Sequence, residues 1–65
     1  MTWDEALIAI KSGAKISASR LGDGAYVELS TGSESDMTLH SENGQLEGWS
    51  PALSDQSSNE WYVLN

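Results

Sequence analysis

The sequence predicts an α+β domain, with an N-terminal helix packed on a four- or five-stranded antiparallel sheet and a short helix before the last strand. Three observations carry this. Apolar residues 3–10 are spaced as one helical face; residues 15–49 change to short alternating runs divided by glycine-containing turns; and the chain closes on the β-type run Trp61-Tyr62-Val63-Leu64.

The helix is predicted over about residues 3–12. Thr2-Trp3-Asp4-Glu5 has the S/T-x-x-E form of a capping box, in which Thr2 accepts from the N–H of Glu5 and Glu5 reaches back. Asp4 and Glu5 also complement the positive end of the helix dipole. Trp3, Ala6, Leu7 and Ile10 form its apolar stripe, so Trp3 reads as a core residue. Lys11 falls in the last turn, and Gly13 suits a left-handed residue after the helix.

Lys15-Ile16-Ser17-Ala18 reads as a short strand, followed by a turn over Arg20-Leu21-Gly22-Asp23-Gly24. In the next strand Ala25, Val27 and Leu29 share one face, with Tyr26 and Glu28 on the other. After the polar loop 30–35, Met37 and Leu39 lie opposite Thr38 and His40. Asn43-Gly44 is a strong hairpin signal, expected to join a strand ending near Glu42 to one starting near Gln45 and running to Trp49. Ser50 and Pro51 suit the cap and first position of a short helix within residues 52–59. Successive strands joined by short turns pair antiparallel.

The chain has 65 residues, enough for a single domain spanning 1–65. A domain this small commonly relies on disulfides, a metal or partner subunits. With no cysteine and a single histidine, His40, no disulfide or metal site is expected, and a homo-oligomer is. No apolar run approaches the ~18 residues of a membrane span, and the acidic start Met1-Thr2-Trp3-Asp4-Glu5 is unlike a signal peptide. A soluble cytoplasmic protein with no membrane partner is the expectation.

Three basic and ten acidic residues give a net charge of −7. That argues against a DNA or RNA duplex as partner, because such binding draws on many Lys and Arg contacts to phosphate. It leaves room for one small anion held by backbone N–H groups and one or two cations.

No catalytic constellation stands out. No serine sits in a nucleophile-elbow sequence, and His40 reads as an ordinary strand surface residue, so no catalytic residue and no cofactor are expected. Binding features are better represented. Arg20, the sole arginine, adjoins Gly22-Asp23-Gly24. Such a turn can aim N–H groups at an anion, and the guanidinium fork suits phosphate; equally, Arg20 can pair with a surface carboxylate. Trp49, at a strand end, is either a lid on the core or a stacking plate for a ring. Tyr26 is a ligand contact, a subunit contact or a half-exposed sheet residue. Asp55 can accept from a ribose hydroxyl or cap the short helix.

Two stretches together resemble a known family. Trp3-Asp4-Glu5-Ala6-Leu7, followed by Lys11-Ser12-Gly13-Ala14-Lys15-Ile16, is similar to an opening of aromatic-x-Glu-Ala-Leu, a helix, then Lys-x-Gly and a basic-hydrophobic strand. Gly48-Trp49-Ser50-Pro51-Ala52-Leu53-Ser54-Asp55, ending at Glu60-Trp61-Tyr62-Val63, is similar to Trp-x-Pro-x-x-x-Asp and then acidic-Trp-x-Val. These marks resemble the phage-encoded Thoeris anti-defence family of the second type. The middle departs: where the family usually has Gly-Trp-Asn-Gly, this chain reads Leu21-Gly22-Asp23-Gly24.

The resemblance implies a signal sponge in the host cytoplasm, a dimer or tetramer of small α+β subunits. Such proteins sequester nucleotide second messengers of bacterial immunity, including cyclic ADP-ribose variants and cyclic oligonucleotides, without cleaving them. Trp49, Pro51, Asp55 and Trp61 carry over as family positions, Pro51 and Trp61 as structural ones. Arg20 and Gly22 to Gly24 match in location only. The expected ligand-binding set is therefore Arg20, Gly22, Asp23, Gly24, Tyr26, Trp49 and Asp55. The alternative is a small acidic phage protein that inhibits a host protein by direct contact.

Overall fold

A computed structural model describes residues 1–64. Helix α1 spans Trp3–Lys11, strand β1 Ile16–Ser17, β2 Tyr26–Leu29, β3 Met37–Ser41 and β4 Gly44–Trp49; helix α2 spans Leu53–Gln56 and strand β5 Tyr62–Val63. A single 3-10 turn over Ser19–Leu21 lies between β1 and β2. The five strands form one antiparallel sheet in the order β4-β3-β2-β1-β5. This is the predicted α+β arrangement.

The capping box closes as its sequence requires. The Thr2 hydroxyl accepts from the Glu5 N–H at 3.3 Å, and the Glu5 carboxylate accepts from the Thr2 N–H at 2.9 Å. The Thr2 N–H, joined by the Thr2 hydroxyl donating to the same carboxylate oxygen at 3.2 Å, favours the charged form and holds the Glu5 carboxyl below the usual glutamate range. At the other end the Ser12 N–H returns to the Ile8 and Ala9 carbonyls, and Gly13 follows at φ +101°.

The buried stripe of α1, Trp3, Ala6 and Ile10, packs on Ile16, Val27, Met37 and Trp61. Ile8, on the far side of the helix, is 71% exposed. The helix thus covers one sheet face only. The other face carries Tyr26, Glu28, Thr38, His40, Gln45 and Glu47, as the alternation of the strands demands.

Two local features differ from the expectations. The hairpin loop is Glu42-Asn43, with Ser41 paired to Gly44, one residue earlier than predicted. A primed turn centred on Asn43-Gly44, of either type, needs positive φ at its first residue, Asn43. Among the described residues only glycines have positive φ, Gly44 at +115°, so Asn43 stays in the turn and Gly44 begins the strand. Helix α2 starts at Leu53, with Ala52 at the cap position and without a side-chain cap from Ser50. Here Asp55 folds back so that its Oδ2 accepts from the Ala52 N–H at 2.9 Å, closing the turn from inside.

The pairing of β3 with β4 contains a bulge. Thr38 pairs with Glu47 but Met37 pairs with Trp49, which leaves Gly48 as the extra residue at φ +71°. Because strand side chains alternate, one inserted residue reverses the face of every residue after it. Without it Trp49 would stand on the outer face beside Glu47. With it Trp49 joins Met37 on the helix side.

Candidate functional site

Trp49 meets two other tryptophans there. Its ring centroid lies 6.1 Å from Trp3 and 6.4 Å from Trp61, both edge-on, and Trp3 lies 5.0 Å from Trp61. Such tilted contacts place the positive edge of one ring against the negative face of another. Trp61 is 1% exposed and Trp3 is buried, whereas Trp49 is half-buried, so one of its surfaces remains at the rim. Trp49 is thus both a lid on the core and a ring partly open to solvent.

Trp61 leads on to the polar part of the site. Its indole N–H donates to the Asp55 carbonyl at 3.0 Å. The Asp55 carboxylate is pinned at both ends: Oδ2 accepts from Ala52, and Oδ1 lies 3.1 Å from the Arg20 Nε. Arg20 also donates from Nη1 to the Ser54 carbonyl at 2.8 Å and from Nη2 to the Ser54 hydroxyl at 3.0 Å. Three guanidinium hydrogens thereby fix its plane, and each terminal nitrogen keeps one more hydrogen, since arginine has five donors. The side chain remains 37% exposed. Of the two roles weighed for Arg20, pairing with a carboxylate is realised, and donors are left for an anion as well.

Arg20, Asp55 and Trp49 are therefore joined through Trp61. The turn after Arg20 lies close in sequence. Gly22 and Gly24 have φ of +98° and +75°, and a Cβ at either would meet nothing within 4 Å, so glycine is needed there for backbone conformation alone. Among the described residues the N–H groups of Asp23 and Gly24 have no protein partner. All three turn residues are exposed.

Tyr26 lies elsewhere, on the outer face of the sheet. Its ring stacks on His40 at 4.7 Å and 16°, and Lys15 Nζ stands 5.3 Å from its centroid. His40 Nε2 lies 2.6 Å from Glu28 Oε2. His40 and Glu28 also line an open cavity of about 180 Å³ with Thr38, Gln45 and Glu47. In one chain, then, Tyr26 and Trp49 face opposite ways.

Sequence reasoning missed Ser54, for which no local pattern stood out, and the His40–Tyr26–Glu28 group. For the latter a signal existed. The strand alternation puts all three on one face, but only the register pairing Tyr26 with His40 makes them neighbours.

The chain is thus a small helix-on-sheet α+β domain with an aromatic cluster joined to a fixed guanidinium. The chain belongs to the Thoeris anti-defense 2-like (Tad2-like) domain family, whose model matches residues 1–64. That membership gives it a phage anti-defence role. No curated protein and no solved structure matches the chain. Among the described residues no helix is long and apolar enough to cross a membrane.

Proposed function

We propose that this protein binds a nucleotide second messenger of bacterial immunity, a cyclic ADP-ribose isomer or a cyclic oligonucleotide, and sequesters it without cleavage in the host cytoplasm. The observation that carries the reading is the connection of a half-buried Trp49 to an already oriented Arg20 through Trp61 and Asp55. A planar base stacks on the rim surface of Trp49, and the two remaining guanidinium hydrogens of Arg20 take phosphate. Asp23 and Gly24 add backbone N–H donors, Gly22 shaping their turn. Asp55 holds Arg20 in place and keeps lone pairs for a ribose hydroxyl.

The pocket is shared between subunits of a homo-oligomer, a dimer or tetramer. Tyr26 and Trp49 face opposite ways in one chain, so Tyr26 reaches a ligand on Trp49 only from another subunit. With a net charge of −7 per chain, a phosphate ligand gains nothing from the long-range field and is gripped locally. Isothermal titration with a panel of cyclic ADP-ribose isomers and cyclic di- and trinucleotides tests the reading; absence of heat with all of them removes it. Recovery of intact ligand from the denatured complex distinguishes sequestration from hydrolysis.

A further inference from the structure

The hairpin between β3 and β4 carries a chemical feature unrelated to ligand binding. Asn43 is exposed in the loop, and the residue after it is glycine. Gly44 is exposed too, at φ +115°, and a Cβ built on it would meet no atom within 4 Å. Gly44 has no side chain to crowd its backbone nitrogen, and that nitrogen becomes available whenever the terminal Ser41–Gly44 pair of the hairpin opens. The Asn43 side-chain carbonyl carbon is the electrophile that this nitrogen can reach through a five-membered ring.

We propose that Asn43-Gly44 is a self-modification site, at which the chain converts Asn43 to aspartate and isoaspartate and thereby opens the hairpin end of β4. Solvent base removes the Gly44 N–H proton, and the nitrogen bonds to Cγ of Asn43. The bond from Cγ to the side-chain nitrogen breaks, and that nitrogen leaves as ammonia. Water then opens the cyclic imide. Attack at Cγ restores the ordinary backbone with an aspartate side chain. Attack at the main-chain carbonyl leaves the chain running through the side chain, as isoaspartate. No oxidant or reductant is involved, and either product has one more negative charge than Asn43.

The isoaspartyl product adds a methylene to a loop whose ends, Ser41 and Gly44, are directly paired. β4 is an edge strand held in the sheet by β3 alone, so no second neighbour resists the slip. Ser41–Gly44 and His40–Gln45 are the first pairs affected. Met37–Trp49, beyond the bulge, is the last.

The test uses the intact folded chain, incubated in mildly alkaline buffer and followed by peptide mapping with isoaspartate detection and by amide exchange. Asn59, exposed and followed by Glu60, is the internal reference. Asn43 is expected to convert about tenfold faster than Asn59, a barrier difference of about 1.4 kcal/mol. Amide protection at Leu46, whose N–H faces β3, should fall in step with isoaspartate. Asn43→Gln, which would need a less favourable six-membered ring, should keep both unchanged over the same period. Conversion of Asn43 no faster than that of Asn59 overturns the site. Conversion with full protection retained at Leu46 overturns the opening of β4.

Discussion

Arg20 Nε and Asp55 Oδ1 lie 3.1 Å apart, and this contact ties the turn after β1 to the one-turn helix before β5. Asp55 also accepts from Ala52, and its carbonyl accepts from Trp61, so one residue organises the C-terminal segment. Asp55→Ala removes both carboxylate contacts. We expect a stability loss of about 1–2 kcal/mol in urea denaturation, held down by the partial exposure of Arg20. Arg20→Lys keeps the charge but not the fork that reaches Ser54 and Asp55 together, and should lose most of the same amount. Wild-type stability in Arg20→Lys would mean that the fork is immaterial to the fold.

Trp61 is the largest fully buried side chain, and it contacts both other tryptophans. Trp61→Ala should cost about 3–5 kcal/mol. A core this small rarely supplies more than about 3–5 kcal/mol in total. The variant should therefore be unfolded at room temperature by circular dichroism. Trp61→Phe, which keeps a ring but leaves the Asp55 carbonyl without its donor, should remain folded with a loss of about 1–3 kcal/mol.

Gly48 decides which way Trp49 faces. Gly48→Ala keeps the bulge but forces a side chain into positive φ, at an expected cost of about 1–2 kcal/mol. Deleting Gly48 restores plain alternation and turns Trp49 outward. The near-ultraviolet circular dichroism of the tryptophan cluster should then collapse, and Trp49 fluorescence should shift to the red. An unchanged spectrum in the deletion variant would contradict this account of the bulge.

If Trp49 is the stacking plate, Trp49→Leu should weaken messenger binding by about 1–3 kcal/mol, read by titration calorimetry. The same substitution disturbs the core, so the affinity is compared under conditions where circular dichroism shows the variant folded. Trp49→Phe, which retains a ring, should lose less. Equal affinity in Trp49→Leu and wild type would remove Trp49 from the pocket.

Glu5 has a testable pH signature. Its folded carboxyl is depressed below the unfolded value of about 4.3 by the hydrogen bonds from Thr2. A depressed carboxyl contributes stability that is present above the unfolded value and disappears as pH falls through the folded one. Glu5→Gln can still close the capping box but cannot titrate. Stability measured downward from pH about 5 should therefore fall more steeply in wild type than in Glu5→Gln. Parallel curves would show that Glu5 does not contribute to acid lability.

Much of the fold was legible because its signals are local. Thr2 and Glu5 are three residues apart, and the apolar stripe of α1 repeats with the helical period. The faces of β2 and β3 follow from alternation, which already placed Val27 and Tyr26 on opposite faces. The hairpin was legible in kind but misplaced by one residue, since its geometry depends on the sign of φ at Asn43, which is not positive. The start of α2 was misplaced because the contact that closes it comes from Asp55, inside the turn, and not from the residues before it.

The candidate site divides along the same line. The sequence by itself determined the residue types of the proposed site: one arginine, a two-glycine turn, an aspartate and a tryptophan in the Trp49-to-Trp61 segment. Only the tertiary structure decided that Arg20 is held by Asp55 and Ser54, that Trp61 joins them to Trp49, and that Tyr26 stands on the opposite sheet face with His40. The physical reason is range. Helical and strand periodicities are properties of a few neighbouring residues, whereas pairings between distant residues depend on strand register. For Trp49 that register turns on one extra glycine in β4.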